Sequence, residues 1–218
     1  MAEQPTIAII GAGRVGAGLG KRFAGAGFPI RFGVRGDKDL SELLDEIRSA
    51  GGKDVAVVDP AEATRAATLV FLTVPGGALI EAVAGLGALE GKVLVDCTNP
   101  VRWDNGPVWD PPEAGSNAQA LALVAAPARV LKAFNGFGSE FHEDPQLGDT
   151  VVDVFMAGDD AWAKEQLTAV ARQAGFAAID AGPLRNAGVL ENMAVLWIHL
   201  ATVGRQGRGF AFKMLRRD

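Results

Sequence analysis

The stretch that most restricts how this chain can fold lies near its start. A short apolar run, Ile7-Ala8-Ile9-Ile10, passes directly into Gly11-Ala12-Gly13-Arg14-Val15-Gly16, and a helical pattern follows. The spacing is Gly-x-Gly-x-x-Gly between a strand and a helix. Each glycine has a mechanical reason: Gly11 permits the tight turn out of the strand, Gly13 lets a pyrophosphate approach bare backbone, and Gly16 lets helix and strand pack closely. The helix start then offers unpaired N–H groups and a partial positive charge to phosphates. A glycine-rich structural turn would share the composition, but the strand-to-helix context favours a dinucleotide site. Gly11, Ala12, Gly13, Arg14, Val15 and Gly16 are therefore the first candidate cofactor contacts.

The second strand of such a unit decides which dinucleotide is preferred. Chains that favour NAD carry Asp or Glu about 20 residues after the glycines, where it binds the ribose 2′-OH. Here Ile30-Arg31-Phe32-Gly33-Val34-Arg35 ends on a cation, followed by Gly36-Asp37-Lys38. A guanidinium suits a 2′-phosphate and can stack on adenine. Val34, Arg35 and Lys38 are accordingly read as NADP contacts. The competing reading makes Arg35 a solvated loop residue and gives an NAD ribose to Asp37.

Further apolar runs end in polar turns, as strands of an open α/β sheet do where ligands bind. Leu69 to Val74 stops at Pro75-Gly76-Gly77, so Thr73, Val74 and Pro75 are expected on the nucleotide groove, with ordinary core as the alternative for Val74. Lys92 to Asp96 ends in Cys97-Thr98-Asn99-Pro100, and Val130 to Phe134 ends in Asn135-Gly136. Thr98, Asn99 and Asn135 can donate and accept hydrogen bonds without charge, which suits a nicotinamide amide. Asn99 and Asn135 are also the candidates on the substrate side. No residue is assigned as a catalytic acid or base. Cys97 reads as a packed thiol, Asp96 as support for the Asn99 turn, and His142, within Ser-Glu-Phe-His-Glu-Asp, as solvent-facing.

Residues 101–115 form the longest irregular stretch, and Trp103 and Trp109 either frame a flat substrate or anchor the loop. A final long helix carries Val189, Leu190, Met193, Leu196, Trp197 and Leu200 on one expected apolar face, which packs on the sheet or on a twin subunit. His199 on that helix reads as buried core, with a ligand-facing position as the alternative. The division expected is a dinucleotide-binding unit over 1–182 and a helical extension over 183–218 packed on it. The fold class is α/β, a doubly wound, mostly parallel Rossmann sheet.

The 218 residues hold 21 basic and 26 acidic side chains, a net charge of -5, which argues against nucleic acid or an anionic membrane as partner. No apolar stretch approaches the roughly 18 residues of a membrane span. The first residues are polar, without a signal-peptide core, and the single cysteine excludes a disulfide framework within the chain. A cytoplasmic location is expected. There is no metal-ligand cluster and no nucleophile–histidine set.

Gly11 to Gly16, Gly33-Val-Arg35, Asp96-Cys-Thr-Asn99-Pro100, Lys132-Ala-Phe-Asn135, Gly158-Asp-Asp160 and Asp180-Ala-Gly-Pro-Leu-Arg-Asn-Ala187 occur together in this order. The combination resembles the F420-dependent NADP oxidoreductase family, which includes the reductase domain of the STEAP metalloreductases. The resemblance implies one Rossmann domain with a short C-terminal extension, usually dimeric. It implies NADP on the glycine turn with Arg35 at the 2′-phosphate, and the Asn99 and Asn135 turns near the nicotinamide. Val34 stands where relatives often carry Ser or Thr, so one phosphate hydrogen bond is missing, and the Trp103 to Trp109 loop is peculiar to this branch. The expected activity is hydride transfer between NADP(H) and a flat redox partner such as coenzyme F420 or a flavin. The alternative is a non-catalytic NADP(H)-binding sensor that acts on a partner protein.

Overall fold

The computed structural model describes residues 4–36 and 38–217. The first strand, β1 (Ile7–Ile10), is followed by α1 (Arg14–Gly25), β2 (Ile30–Gly33), α2 (Ser41–Ser49), β3 (Val55–Val58) and α3 (Pro60–Ala66). Next come β4 (Leu69–Leu72), α4 (Leu79–Ala84) and β5 (Val93–Asp96). A hairpin of β6 (Val101–Trp103) and β7 (Pro107–Trp109) precedes α5 (Asn117–Val124), β8 (Arg129–Lys132) and the one-turn α6 (Glu140–Glu143). A second hairpin, β9 (Gln146–Leu147) and β10 (Thr150–Val151), leads to β11 (Asp153–Gly158), α7 (Ala161–Gln173), β12 (Ala177–Asp180) and α8 (Ala187–Ala201).

The eight-stranded sheet runs β12-β11-β8-β5-β4-β1-β2-β3. From β3 to β8 every pairing is parallel; β11 is antiparallel to β8, and β12 is parallel to β11. The strand order reverses between β1 and β4, which opens a crevice at their carboxyl ends. Strands covered on both faces are apolar throughout, and the alternation of β1 shows why. Ile7 and Ile9 point into one core layer with Leu19 and Phe23 of α1, while Ala8 and Ile10 point into the other with Ala63, Leu79 and Leu121. Phe23, Phe71, Phe134 and Phe176 form an edge-on aromatic cluster in the first layer.

Several local expectations are corrected. The second strand stops at Gly33, so Arg35 lies in a bend beyond it. Helix α4 covers Leu79–Ala84 only, because Gly85 follows and Gly87 takes a left-handed φ of 76°. The supposedly irregular 101–115 stretch contains the β6–β7 hairpin, turned by Asn105 at φ 52° and Gly106 at φ 154°. On α8 the buried residues are Ala187, Gly188, Leu190, Glu191, Ala194, Trp197 and Ala201, whereas Val189, Leu196 and His199 are exposed. Ser116 caps α5, accepting from the Gln119 N–H, and Pro60 opens α3.

Candidate functional site

The glycine turn has the geometry its spacing demands. Gly11 sits at φ 99°, a conformation L side chains rarely adopt. A Cβ on Gly16 would stand 2.2 Å from the Gly11 carbonyl oxygen, so α1 packs against the turn only without a side chain there. A Cβ on Gly13 would meet nothing within 4 Å, so the space before this backbone is open to a ligand. Gly13 is the N-cap of α1, without a side-chain cap, and the first turn carries no acid. The donors at this helix start are thus left for an anion, and these residues fit a dinucleotide pyrophosphate. Across the switch point, the Thr73 hydroxyl donates to the carbonyls of Ile10 and Gly11 at 3.0 and 2.9 Å. Thr73 is therefore a staple of the turn more than a free wall of the groove.

A cleft of about 400 Å³ runs beside the turn and is lined by Gly11, Ala12, Val34, Arg35, Lys38 and Val74. Six sequence candidates thus converge on one cavity. Lys38 Nζ donates to the Ala12 carbonyl at 3.3 Å. The Arg35 guanidinium pairs with the carboxylate of Glu81, which projects from the first turn of α4 into the same cleft. Sequence reasoning did not single out Glu81, and no local signal marks it: the contact spans 46 positions. Asp37, the residue on which the NAD reading rests, lies outside the described residues. Arg14 and Gly13 are exposed beside the turn, and the Val15 side chain packs on the core.

The second half of the site is built at the ends of β5 and β8. Asn135 Nδ2 donates to Asn99 Oδ1 at 2.8 Å and to the Leu190 carbonyl at 3.1 Å, while Asn99 Nδ2 donates to the Asn135 carbonyl at 3.0 Å. The two asparagines therefore form a reciprocal pair. Pro75 and Asn99 border a cleft of about 610 Å³ between the β4 loop and the β6–β7 hairpin. Asn135 borders a small pocket with Phe137, Phe155, Leu190, Met193 and Phe212. Thr98 is different: it is buried and its hydroxyl accepts from Asn117 Nδ2 at 2.7 Å.

Beneath the asparagine pair lies a charged cluster that the sequence did not announce. Lys132, Asp96 and Glu191 have fully buried side chains. Lys132 Nζ donates to Asp96 Oδ2 at 2.8 Å, to the Thr98 carbonyl at 2.6 Å and to Glu191 Oε1 at 2.7 Å, which occupies all three of its hydrogens. Asp96 Oδ1 accepts from the Thr98 N–H, as its expected turn-supporting part requires. Glu191 also accepts from the Asn117 N–H and from the indole of Trp109. Trp109 thus anchors its hairpin, whereas Trp103 is exposed. The one available signal was Glu191 itself, a lone acid inside the apolar run of the last helix.

Two further side chains need correction or support. His142 is buried, not solvent-facing, and His199 is exposed, not core. Burial, followed by the charge of Asp96, pushes the Cys97 thiol well above its ordinary value, so it remains a packed, protonated group.

The family model described as NADP oxidoreductase, coenzyme F420-dependent, matches residues 6–100. The F420-dependent NADP reductase of Methanothermobacter marburgensis is 32% identical over 209 residues, covering 89% of this chain and 91% of the relative. This chain belongs to the F420-dependent NADP oxidoreductase family. A crystal structure from Arthrobacter sp. FB24, provisionally assigned as an F420-dependent NADP reductase, superposes with a TM-score of 0.84 at 26% identity, over 97% of this chain and all of that one. The rat metalloreductase STEAP3 is 28% identical over 190 residues, but the chain spans only about a third of that protein, 36% of its length. The family's description is that of NADP oxidoreductases. The sensor reading gains nothing from these relatives. Among the described residues no helix is long and apolar enough to cross a membrane.

Proposed function

We propose that this oxidoreductase passes a hydride between NADP(H) and a flat redox partner, coenzyme F420 or a flavin. In this reading the glycine turn holds the pyrophosphate, and Arg35 and Lys38 take the 2′-phosphate. Val34, Val74 and Pro75 border the nucleotide, and the Asn99–Asn135 pair, with Thr98 behind it, frames the nicotinamide end. When bound, the cofactor supplies the hydride from its C4. The protein's part is to hold two rings face to face and exclude water.

The observation that carries the proposal is the chemistry around Asn135. Its neighbours Phe137, Phe155, Leu190, Met193 and Phe212 make an apolar, aromatic wall beside the Asn135 amide, with the lysine-paired carboxylate of Asp153 at its edge. Such a surface suits a ring system that exchanges electrons as hydride. Reduction of a simple carbonyl instead calls for a proton donor. The Lys132 ammonium has spent its hydrogens and is sealed from solvent, and the Lys213 ammonium is held by the Asp153 carboxylate. The M. marburgensis relative, named for F420, favours the deazaflavin.

The experiment is NADPH oxidation assayed with F420, FMN and simple aldehydes; turnover of aldehydes alone overturns the proposal. The cofactor half is tested by Arg35→Ala. It is expected to weaken NADPH binding by about tenfold or more while NADH binding changes little, since only NADPH carries the 2′-phosphate. Equal losses for both nucleotides would remove Arg35 from the phosphate.

Two further points belong to this reading. Residues 183–218 act as an extension seated on the 1–182 unit, a view supported by Glu191 in the buried cluster and by Trp197, whose indole donates to the Phe210 carbonyl. A homodimer is the assembly we favour. Val189, Leu196 and Val203 recur every seventh residue as exposed apolar side chains on α8 and the turn that follows it.

A further inference from the structure

The turn that carries Asn135 begins with a backbone conformation that its residue resists. Phe134 has a φ of 60°, in the left-handed region, where a bulky side chain is a true outlier. Strain of this kind persists only where the surroundings over-determine it. One restraint is the aromatic cluster: the Phe134 ring lies 5.2 Å from Phe176, 5.7 Å from Phe71 and 6.0 Å from Phe23, centroid to centroid. That cluster fixes the ring. It does not fix the carbonyl, which must turn with φ and ψ and would otherwise be a buried acceptor without a partner.

His142 supplies that partner. Its Nε2 lies 2.8 Å from the Phe134 carbonyl oxygen, and because a carbonyl only accepts, Nε2 carries the hydrogen. The other ring nitrogen, Nδ1, is buried and has no partner, the one such side-chain atom among the described residues. An imidazole with one committed donor and one bare nitrogen is held neutral and in a single tautomer. The ring is clamped by Phe137, with centroids 4.8 Å apart, and the Cβ of His142 lies so close to α1 that a Cβ on Gly18 would stand 3.0 Å away. The histidine therefore has little freedom to release the carbonyl.

We propose that His142 is a positioning residue for the redox site. Its Nε2–H holds the Phe134 carbonyl, keeps that residue left-handed and so aims Asn135 at Asn99 and the Leu190 carbonyl. The inference rests on the reading that the Asn99–Asn135 pair frames the nicotinamide. It assigns function to a side chain that makes no contact with either asparagine in any hydrogen bond described above.

The test separates the two ends of the cofactor. Dissociation constants for NADPH and for 2′,5′-ADP, which carries the adenosine with its 2′- and 5′-phosphates but no nicotinamide, are measured for the wild type, His142→Gln, His142→Asn and Asn135→Ala. The Gln amide reaches the position of Nε2, and the shorter Asn amide does not. His142→Asn is expected to weaken NADPH by about tenfold, the worth of a buried hydrogen bond, with 2′,5′-ADP unchanged. His142→Gln is expected to return NADPH binding to within about threefold of wild type. The inference is overturned if His142→Asn binds NADPH like wild type, or if both amides lose equally. Loss of NADPH and 2′,5′-ADP in step also overturns it, because His142 then merely supports the fold. If Asn135→Ala leaves NADPH binding untouched, the failure lies in the underlying reading of the asparagine pair.

Discussion

At the scale of single residues, the cleft beside the glycine turn holds its own counter-ion. Arg35 and Glu81 are both largely exposed, and their pairing places a carboxylate on the guanidinium that the 2′-phosphate would use. An exposed ion pair is weak, so the carboxylate competes with a phosphate without blocking it. Glu81→Gln should therefore tighten NADPH by about two- to fivefold, leave NADH nearly unchanged, and have no effect in an Arg35→Ala background. Titration of the four proteins with both nucleotides checks this. The same contrast shows what a sequence reveals about a residue. Arg35 was legible because its place follows from distance along the chain after Gly16. Glu81 was not, because only the folded sheet brings α4 over the end of β2. His142 was misread for a related reason. Its neighbours Glu140, Glu143 and Asp144 are exposed, and a single turn of helix is too short for periodicity to show that residues 141 and 142 face inward.

Elements are joined at the functional edge by charge. The Lys132 cluster ties the ends of β5 and β8 to α8, to the start of α5 and, through Trp109, to the β6–β7 hairpin. Removing one partner of a buried ion pair is far more harmful than never having had it, since the remaining charges stay buried. Lys132→Met, which leaves two buried carboxylates facing each other, should cost about 3–5 kcal/mol of stability in denaturant unfolding. The strands of this edge were readable as apolar runs with polar ends, and Lys132 stood among the family-like residues. Its partners were not readable. Asp96 and Glu191 are separated along the chain by several elements, and a charge inside an apolar helix gives no address for its counter-ion. The hairpin was readable in principle, because Asn105-Gly106 between two short apolar runs is a turn signal.

Over the whole molecule, a doubly wound, mostly parallel sheet followed from alternating strand and helix patterns, since parallel sheets need helical crossovers. The polarity change at β11 did not, because periodicity carries no strand direction. Stability should carry a trace of His142 over a definite pH range. Burial lowers its pKa below the ordinary value of 6.5 in the folded chain. The unfolded chain takes up a proton near that pH and the folded chain only at lower pH. Stability is thus complete above about pH 6.5 and is lost as pH falls toward the lowered value, by at most about 1.4 kcal/mol per pH unit. Glu140, whose carboxyl is held below its ordinary 4.5 chiefly by the hydrogen bond from Arg208, loses its contribution only at more acid pH. Thermal unfolding between pH 7 and pH 5 should show a decline in the wild type and a flatter profile in His142→Gln. An equal decline in both would mean that other groups control this range.

Because β11 runs against β8 and pairs with it only through Ala157 and Gly158, its beginning projects past the end of β8 toward the asparagine turns. Asp153 at that beginning is buried, and the partners of its carboxylate are the Lys213 ammonium and the Met214 N–H. A protein shortened ahead of Lys213 would leave that acid stranded, and an affinity handle fused just after it would hang beside the asparagine turns. An affinity handle is better placed at the opposite terminus.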